Sequence, residues 1–144
     1  MILYLDSSAL VKRYLIEARS ADVERVIVEA EQTGTAMITR AEVSAGIAKA
    51  VRMNWVARDE ALKSLAAFQS QWASLFRLHI REAAVERADT LAWAHGLRGY
   101  DAVHLACATL WQESVSGPIT VATFDEQQWE GAQKLGLAVW PESL

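Results

Sequence analysis

Short apolar runs alternate along this chain with longer stretches in which apolar residues recur every three or four positions. Ile2 to Leu5 reads as a strand closed by Asp6, and Ser8 stands where it would cap a helix carrying Leu10, Val11, Tyr14 and Leu15. A second helix is predicted over Ser20 to Gln32, with Val23, Val26, Ile27 and Ala30 on one face and Thr33-Gly34 breaking it. Thr35 to Ile38 is the second strand. Thr39-Arg40-Ala41-Glu42 has the form of a capping box and opens a helix with Val43, Ile47, Ala50 and Val51. A further helix holds Leu62, Leu65, Phe68, Trp72 and Leu75, before a third strand at Phe76 to Ile80. Ala84, Val85, Ala88, Leu91 and Ala92 mark a helix stopping near Gly96, and the next runs from Tyr100 to Glu113. The Gly117-Pro118 turn precedes strand four, Ile119 to Ala122. Asp125 starts a helix with Trp129, Ala132 and Leu135 that Gly136 terminates, and Leu137 to Trp140 is the last strand. Strands separated by helices predict an α/β class with a parallel sheet and helices on both faces. With 144 residues, no repeat and no linker, one domain over 1–144 is expected.

Composition narrows the setting. No run of 18 apolar residues occurs, so no membrane span is expected, and Met1-Ile2-Leu3-Tyr4-Leu5-Asp6 lacks the basic leader of a signal peptide. The single cysteine, Cys107, excludes an internal disulfide and a cysteine-rich metal site, and between two alanines it reads as a small buried hydrophobe. A reducing cytoplasm fits these features. The six tryptophans are scattered and read as core and interface filler rather than a stacking platform. A net charge of −4 argues against gripping nucleic acid by bulk positive charge.

In an open parallel sheet ligands bind beyond the carboxyl ends of the strands. Asp6 follows strand one directly, Glu42 lies one helical turn after strand two, Asp125 comes just after strand four, and Asp101 opens the helix leading to strand four. Each has an ordinary explanation: a polar strand stop for Asp6, the return partner of the Thr39 cap for Glu42, and a favourable helix dipole for Asp101 and Asp125. Converging at one edge, the four would repel each other unless a cation sat among them. Oxygen-only donors without clustered Cys or His suit Mg²⁺ or Mn²⁺ rather than zinc, and a water on such an ion can act as nucleophile. With these four set aside, acidic and basic residues balance, so the net charge is that of the candidate site. A receiver-type phosphorylation module would need an Asp after strand three, where Arg81 stands, and a haloacid-dehalogenase-like phosphatase would need Asp-x-Asp where the chain reads Asp6-Ser7-Ser8.

The segments Leu5-Asp6-Ser7-Ser8-Ala9-Leu10-Val11-Lys12, Thr39-Arg40-Ala41-Glu42-Val43, Leu97-Arg98-Gly99-Tyr100-Asp101-Ala102-Val103-His104-Leu105-Ala106 and Thr123-Phe124-Asp125 occur in that order. Together they resemble the PIN-domain family, in particular the VapC-like ribonuclease toxins. The resemblance implies a PIN-like three-layer fold with a five-stranded parallel sheet flanked by helices. It implies a divalent-metal endoribonuclease with Asp6, Glu42, Asp101 and Asp125 as the catalytic, metal-holding acids, and Ser8 and Thr123 orienting carboxylates or metal waters. It also implies a homodimer inhibited by a small VapB-like antitoxin. A stand-alone RNA-processing nuclease and a non-catalytic PIN-fold scaffold are the alternatives. His104, three residues after Asp101, reads first as a packing histidine beside Leu105 and Cys107 and second as a ligand or base. Lys12, Arg13, Arg40, Lys49 and Arg98 are the candidates for phosphate contacts. The apolar tip Met53-Asn54-Trp55-Val56 either contacts a partner or simply caps a helical hairpin.

Overall fold

The computed structural model describes residues 1–144. Five strands, β1 (Ile2–Leu5), β2 (Gln32–Ala36), β3 (Phe76–Leu78), β4 (Ile119–Ala122) and β5 (Ala138–Trp140), form one sheet in the order β3-β2-β1-β4-β5. Every neighbouring pair is parallel. The connections contain α1 (Ser7–Leu10), α2 (Ser20–Glu29), α3 (Thr39–Arg52), α4 (Arg58–Gln71), α5 (Glu82–His95), α6 (Gly99–Ser114) and α7 (Glu126–Lys134). From β1 the chain builds outward through β2 to β3, then returns to place β4 on the other side of β1. The order of the sheet therefore reverses at β1 and β4, and a crevice opens beyond their carboxyl ends.

The period-two alternation of β1 divides the interior. Leu3 and Leu5 enter one core with Leu10, Val23, Val43, Ile47, Phe68 and Trp72, which covers the face of α2, α3 and α4. Tyr4 points the other way, into a core with Leu91, Leu105, Trp111, Ile119 and Val121 under α5 and α6. The register seats Tyr4 beside Val121 and Leu5 beside Ala122, so residues of the two central strands share faces in step. The result is three layers, with the sheet between two sets of helices, as the alternation predicts. Cys107 lies in the second core, where burial pushes its thiol up to about 11, in keeping with a small inert hydrophobe. No helix is long and apolar enough to cross a membrane.

Several boundaries differ from the sequence reading. The first helix is cut to Ser7–Leu10 and continues as a 3-10 turn over Val11–Arg13. Its cap is Asp6 rather than Ser8, because the Asp6 carboxylate accepts from the Ala9 N–H. The second helix stops at Glu29, and strand two begins at Gln32 and takes in Thr33-Gly34 instead of starting at Thr35. Gly34 reads as a breaker, yet it sits in a strand for a packing reason. A Cβ there would lie 2.6 Å from the indole of Trp111, which itself stacks on Phe76 with centroids 5.0 Å apart. The glycine lets α6 lie close against β2. Strand three ends at Leu78 rather than Ile80, and strand five starts at Ala138. Gly96 ends α5 in the left-handed conformation, φ +62°, which brings the chain to the start of α6 three residues later.

The contact at Gly34 carries an expected outcome. Trp111 is buried and cannot swing aside, so Gly34→Ala should lower stability by about 1–3 kcal/mol in urea unfolding. Gly117→Ala, where an added Cβ meets nothing within 4 Å, should stay within about 0.5 kcal/mol of the parent.

Candidate active site

Asp6 is the last residue of the β1 edge and is only 2 % exposed. Its extended backbone, φ −80° and ψ 177°, is that of a helix cap, which aims the carboxylate back at the first turn of α1. The Ala9 N–H donates to Oδ1 at 2.9 Å, and the Thr123 hydroxyl donates to Oδ2 at 2.7 Å. The Ser8 hydroxyl lies 2.8 and 2.9 Å from the two carboxylate oxygens and accepts from the Phe124 N–H at 2.8 Å. Ser8 and Thr123 thus hold both oxygens of Asp6, and they tie the end of β1 to the end of β4. Burial raises the Asp6 pKa; the His104 charge and the hydrogen bonds from Thr123, Ala9 and Ser8 offset only part of that rise.

Glu42 stands in the first turn of α3, but the capping box is not formed. The residue before the helix proper is Ile38, with no side-chain cap, and the Thr39 hydroxyl is buried 2.7 Å from that of Thr35. Thr35 in turn donates to the Leu5 carbonyl at 2.6 Å. Released from the helix end, the Glu42 carboxylate turns into the crevice. It accepts from Ser7 Oγ at 2.9 Å and lies 2.8 Å from His104 Nε2. Burial alone would raise its pKa, but the His104 hydrogen bond and charge, with Ser7, more than offset this and hold it below the ordinary value.

His104 is the largest departure from the sequence reading. It is buried on α6, as a packing residue would be, yet both ring nitrogens are engaged: Nε2 with Glu42 and Nδ1 with the Tyr4 hydroxyl at 2.8 Å. Burial would lower its pKa, but the Glu42 hydrogen bond and charge, then Asp6 and Asp101, raise it above 6.5. When protonated, the ring donates from both nitrogens, while burial keeps Tyr4 a phenol by pushing its pKa well up. Tyr4 and Ser7 are site residues that the sequence reading passed over. The signal for Tyr4 was a phenol at a fully enclosed strand position, whose hydroxyl needs a partner.

Asp101 and Asp125 stand where they were expected, in the first turn of α6 and at the cap of α7. Asp125 Oδ1 accepts from the Gln128 N–H at 3.1 Å. The second oxygens of both acids face Arg98, whose Nε donates to Asp101 at 2.7 Å and whose Nη2 donates to Asp125 at 2.5 Å. Of the five basic candidates, only Arg98 is in the crevice. Lys12 pairs with Glu17 and lies over Phe124, Arg13 pairs with Glu24, Arg40 lies over Trp72 and Lys49 over Trp55.

All four acids line one cavity of about 280 Å³, together with Ser7, Ser8, Arg98, Tyr100, His104 and Gln128. Its donor chemistry fits a hard divalent cation: the ligating atoms on offer are carboxylate and hydroxyl oxygens, and Asp6 is buried with its negative charge incompletely offset. Gln128, which also lines the cavity, has a buried amide nitrogen with no hydrogen-bond partner. As they stand, no three His, Cys, Asp or Glu side chains are arranged to hold one ion, so ligation requires the acids to shift and Arg98 to leave two of them.

The PIN domain family profile matches residues 3–135. This chain belongs to the PIN-domain family. It is 30 % identical to ribonuclease VapC45 of Mycobacterium tuberculosis over 99 % of its own length and 97 % of that protein's. Among solved structures it is similar to the Pyrobaculum aerophilum protein PAE2754, with a TM-score of 0.69, 19 % identity and coverage of 96 % and 83 % of the two chains. It is also similar to a chain of a toxin–antitoxin complex from Klebsiella pneumoniae, with a TM-score of 0.67, 17 % identity and coverage of 90 % and 91 %. In this PIN domain the crevice at the reversal of the strand order holds the four acids.

The paired shifts of His104 and Glu42 set a pH window. A histidine pKa raised on folding contributes stability that is complete below 6.5 and is lost as pH rises through the raised value. A glutamate pKa lowered on folding contributes stability present above 4.5 and lost as pH falls through the lowered value. Measured by thermal unfolding in chelator, the loss of Tm on His104→Gln should be greatest between pH 4.5 and 6.5 and should shrink on the alkaline side. A loss of equal size across the whole range would show that packing, not the charged pair, holds the ring.

Proposed function

We propose that this protein is an Mg²⁺- or Mn²⁺-dependent endoribonuclease, hydrolysing RNA phosphodiester bonds as one PIN-like domain over residues 1–144. The reading extends to its setting: the toxin of a toxin–antitoxin pair, a homodimer in the cytoplasm, held inactive by a small VapB-like antitoxin. The observation that carries it is the meeting of Asp6, Glu42, Asp101 and Asp125 in one cavity at the reversal of the sheet. The likeness to a ribonuclease over nearly the full length of both chains supports the substrate, and the toxin–antitoxin relative supports the partner.

A divalent ion, if bound, would be held by Asp6, Glu42, Asp101 and Asp125 and would supply positive charge for the phosphoryl oxygens and a water more acidic than bulk. The chain's own part is positioning. Ser8, Thr123 and the Ala9 N–H fix both oxygens of Asp6, so this carboxylate loses little freedom on binding. His104 and Ser7 hold Glu42 ionised, and its lowered pKa suits it to a charge-holding role better than to that of a strong general base. Asp125 divides its carboxylate between the cap of α7 and the cavity, which makes it the weakest holder of the four.

Asp6→Asn and Asp101→Asn should each reduce cleavage of a single-stranded oligoribonucleotide by more than about 100-fold, with circular dichroism unchanged. Chelator should abolish cleavage by the parent and Mn²⁺ should restore it. Cleavage that persists in chelator and in both variants would overturn the reading. A cavity-intact protein that binds RNA without cutting it under any divalent ion would instead be a binding scaffold.

The partner has a candidate surface. At the tip between α3 and α4, Trp55 is 68 % exposed and borders an apolar groove with Tyr14, Leu15, Ile16 and Val56. Its indole is not folded away as a hairpin cap. Co-expression with the product of an adjacent small gene should yield a complex in which cleavage is suppressed, and Trp55→Ala should weaken it by about tenfold or more. If no complex forms, the stand-alone RNA-processing nuclease becomes the reading.

A further inference from the structure

Arg98 is the one arginine or lysine that lines the crevice. It stands just outside α6 with an extended backbone, φ −64° and ψ 150°, and its guanidinium joins two acids from the starts of two different helices. Two features bear on how firmly this bridge is held. The Arg98 side chain is 61 % exposed, so both ion pairs are screened by water and are worth little against a divalent ion. The amide nitrogen of Gln128, buried in the same cavity, is left without a partner while the bridge is closed. A closed cavity with an orphaned donor at its wall is not fully satisfied.

We propose that Arg98 is an exchangeable counter-cation: it neutralises Asp101 and Asp125 until a divalent ion takes them, and then turns its freed fork to a phosphate of the bound RNA. The inference rests on the nuclease reading and adds to it a coupling between metal loading and substrate binding. A divalent ion drawn to the same two carboxylates competes with the guanidinium for their charge and repels it. The displaced side chain stays tethered at the mouth of the cavity, where a planar donor fork matches two phosphate oxygens. The other four basic candidates are held on Glu17, Glu24, Trp72 and Trp55, so no second cation stands ready for that role in the crevice. Arg98 is thus a positioning residue with opposite effects on the two ligands: it weakens metal binding and strengthens RNA binding.

Calorimetric titration of Mn²⁺ into the parent, Arg98→Gln and Arg98→Lys separates the possibilities. Arg98→Gln should bind Mn²⁺ about three- to tenfold more tightly than the parent, because two exposed ion pairs no longer compete. At saturating Mn²⁺ it should show a KM for a single-stranded oligoribonucleotide raised about tenfold with kcat little changed. Arg98→Lys keeps the charge without the fork and should fall between the two in both measurements. If Mn²⁺ affinity in Arg98→Gln is unchanged or weaker and only the Tm falls, Arg98 is a structural bridge between α6 and α7 and the proposal is overturned. An unchanged KM would overturn the transfer to phosphate. Absence of Mn²⁺ binding in the parent and in Arg98→Gln alike would overturn the nuclease reading itself, a result distinct from either.

Discussion

A carboxylate buried at the end of the central strand is the constraint around which the rest of this protein is arranged. Asp6 has almost no contact with water, and an ionised group in that position is costly unless hydrogen bonds or opposite charge compensate it. The fold supplies donors from three places at once: the first turn of α1, Ser8 within that turn, and Thr123 beyond β4. These donors are close only because β1 and β4 are hydrogen-bonded neighbours in register. The short first helix, the adjacency of the two strands and the placement of the hydroxyls all follow from satisfying one group, and the satisfaction stays incomplete.

The second acid is governed from the opposite core. Tyr4 points away from Leu3 and Leu5, into the layer beneath α6, and there its hydroxyl meets His104. His104 then reaches Glu42 on α3, which packs against the other face of the sheet. A line of hydrogen bonds therefore passes from one hydrophobic layer, around the end of the sheet, to the helix of the other. It couples the packing of α6 to the orientation of a catalytic candidate. A loosely packed α6 would blur the position of Glu42 even with every acid in place.

Several residues serve the helices and the cavity together. Asp6 and Asp125 cap helices with one oxygen and present the other to neighbours in the crevice. Thr39, by contrast, spends its hydroxyl on Thr35 rather than on capping α3, and Glu42 turns to Ser7 and His104. Sharing a carboxylate between backbone donors and a ligand limits how strongly either can be held. It accounts for a cavity that is formed in outline while its acids remain divided among Arg98, His104 and hydroxyl groups.

Periodicity and turn residues made the alternation of strands and helices legible, because each element depends on residues adjacent in sequence; a parallel sheet follows from that alternation, with Asp6, Glu42 and Asp125 at its carboxyl edge and Asp101 joining them on condition that its helix starts there. Gly34 and Thr39 were misread for the same reason in reverse. A glycine between a helix and a strand has the local look of a break, and Thr-x-x-Glu has the local look of a cap. What overrode them was tertiary: the distant Trp111 indole against Gly34, the distant His104 imidazole that draws Glu42 into the crevice, and the nearby Thr35 hydroxyl that engages Thr39. Tyr4 and His104 are separated by 100 positions, and nothing in either segment marks the other as its partner. Local propensities set which residues reach the edge of the sheet. Only the packing of α6 and α3 across opposite faces decided which donor meets which acid, since a hydrogen bond requires a specific distance and direction that hydrophobic spacing does not encode.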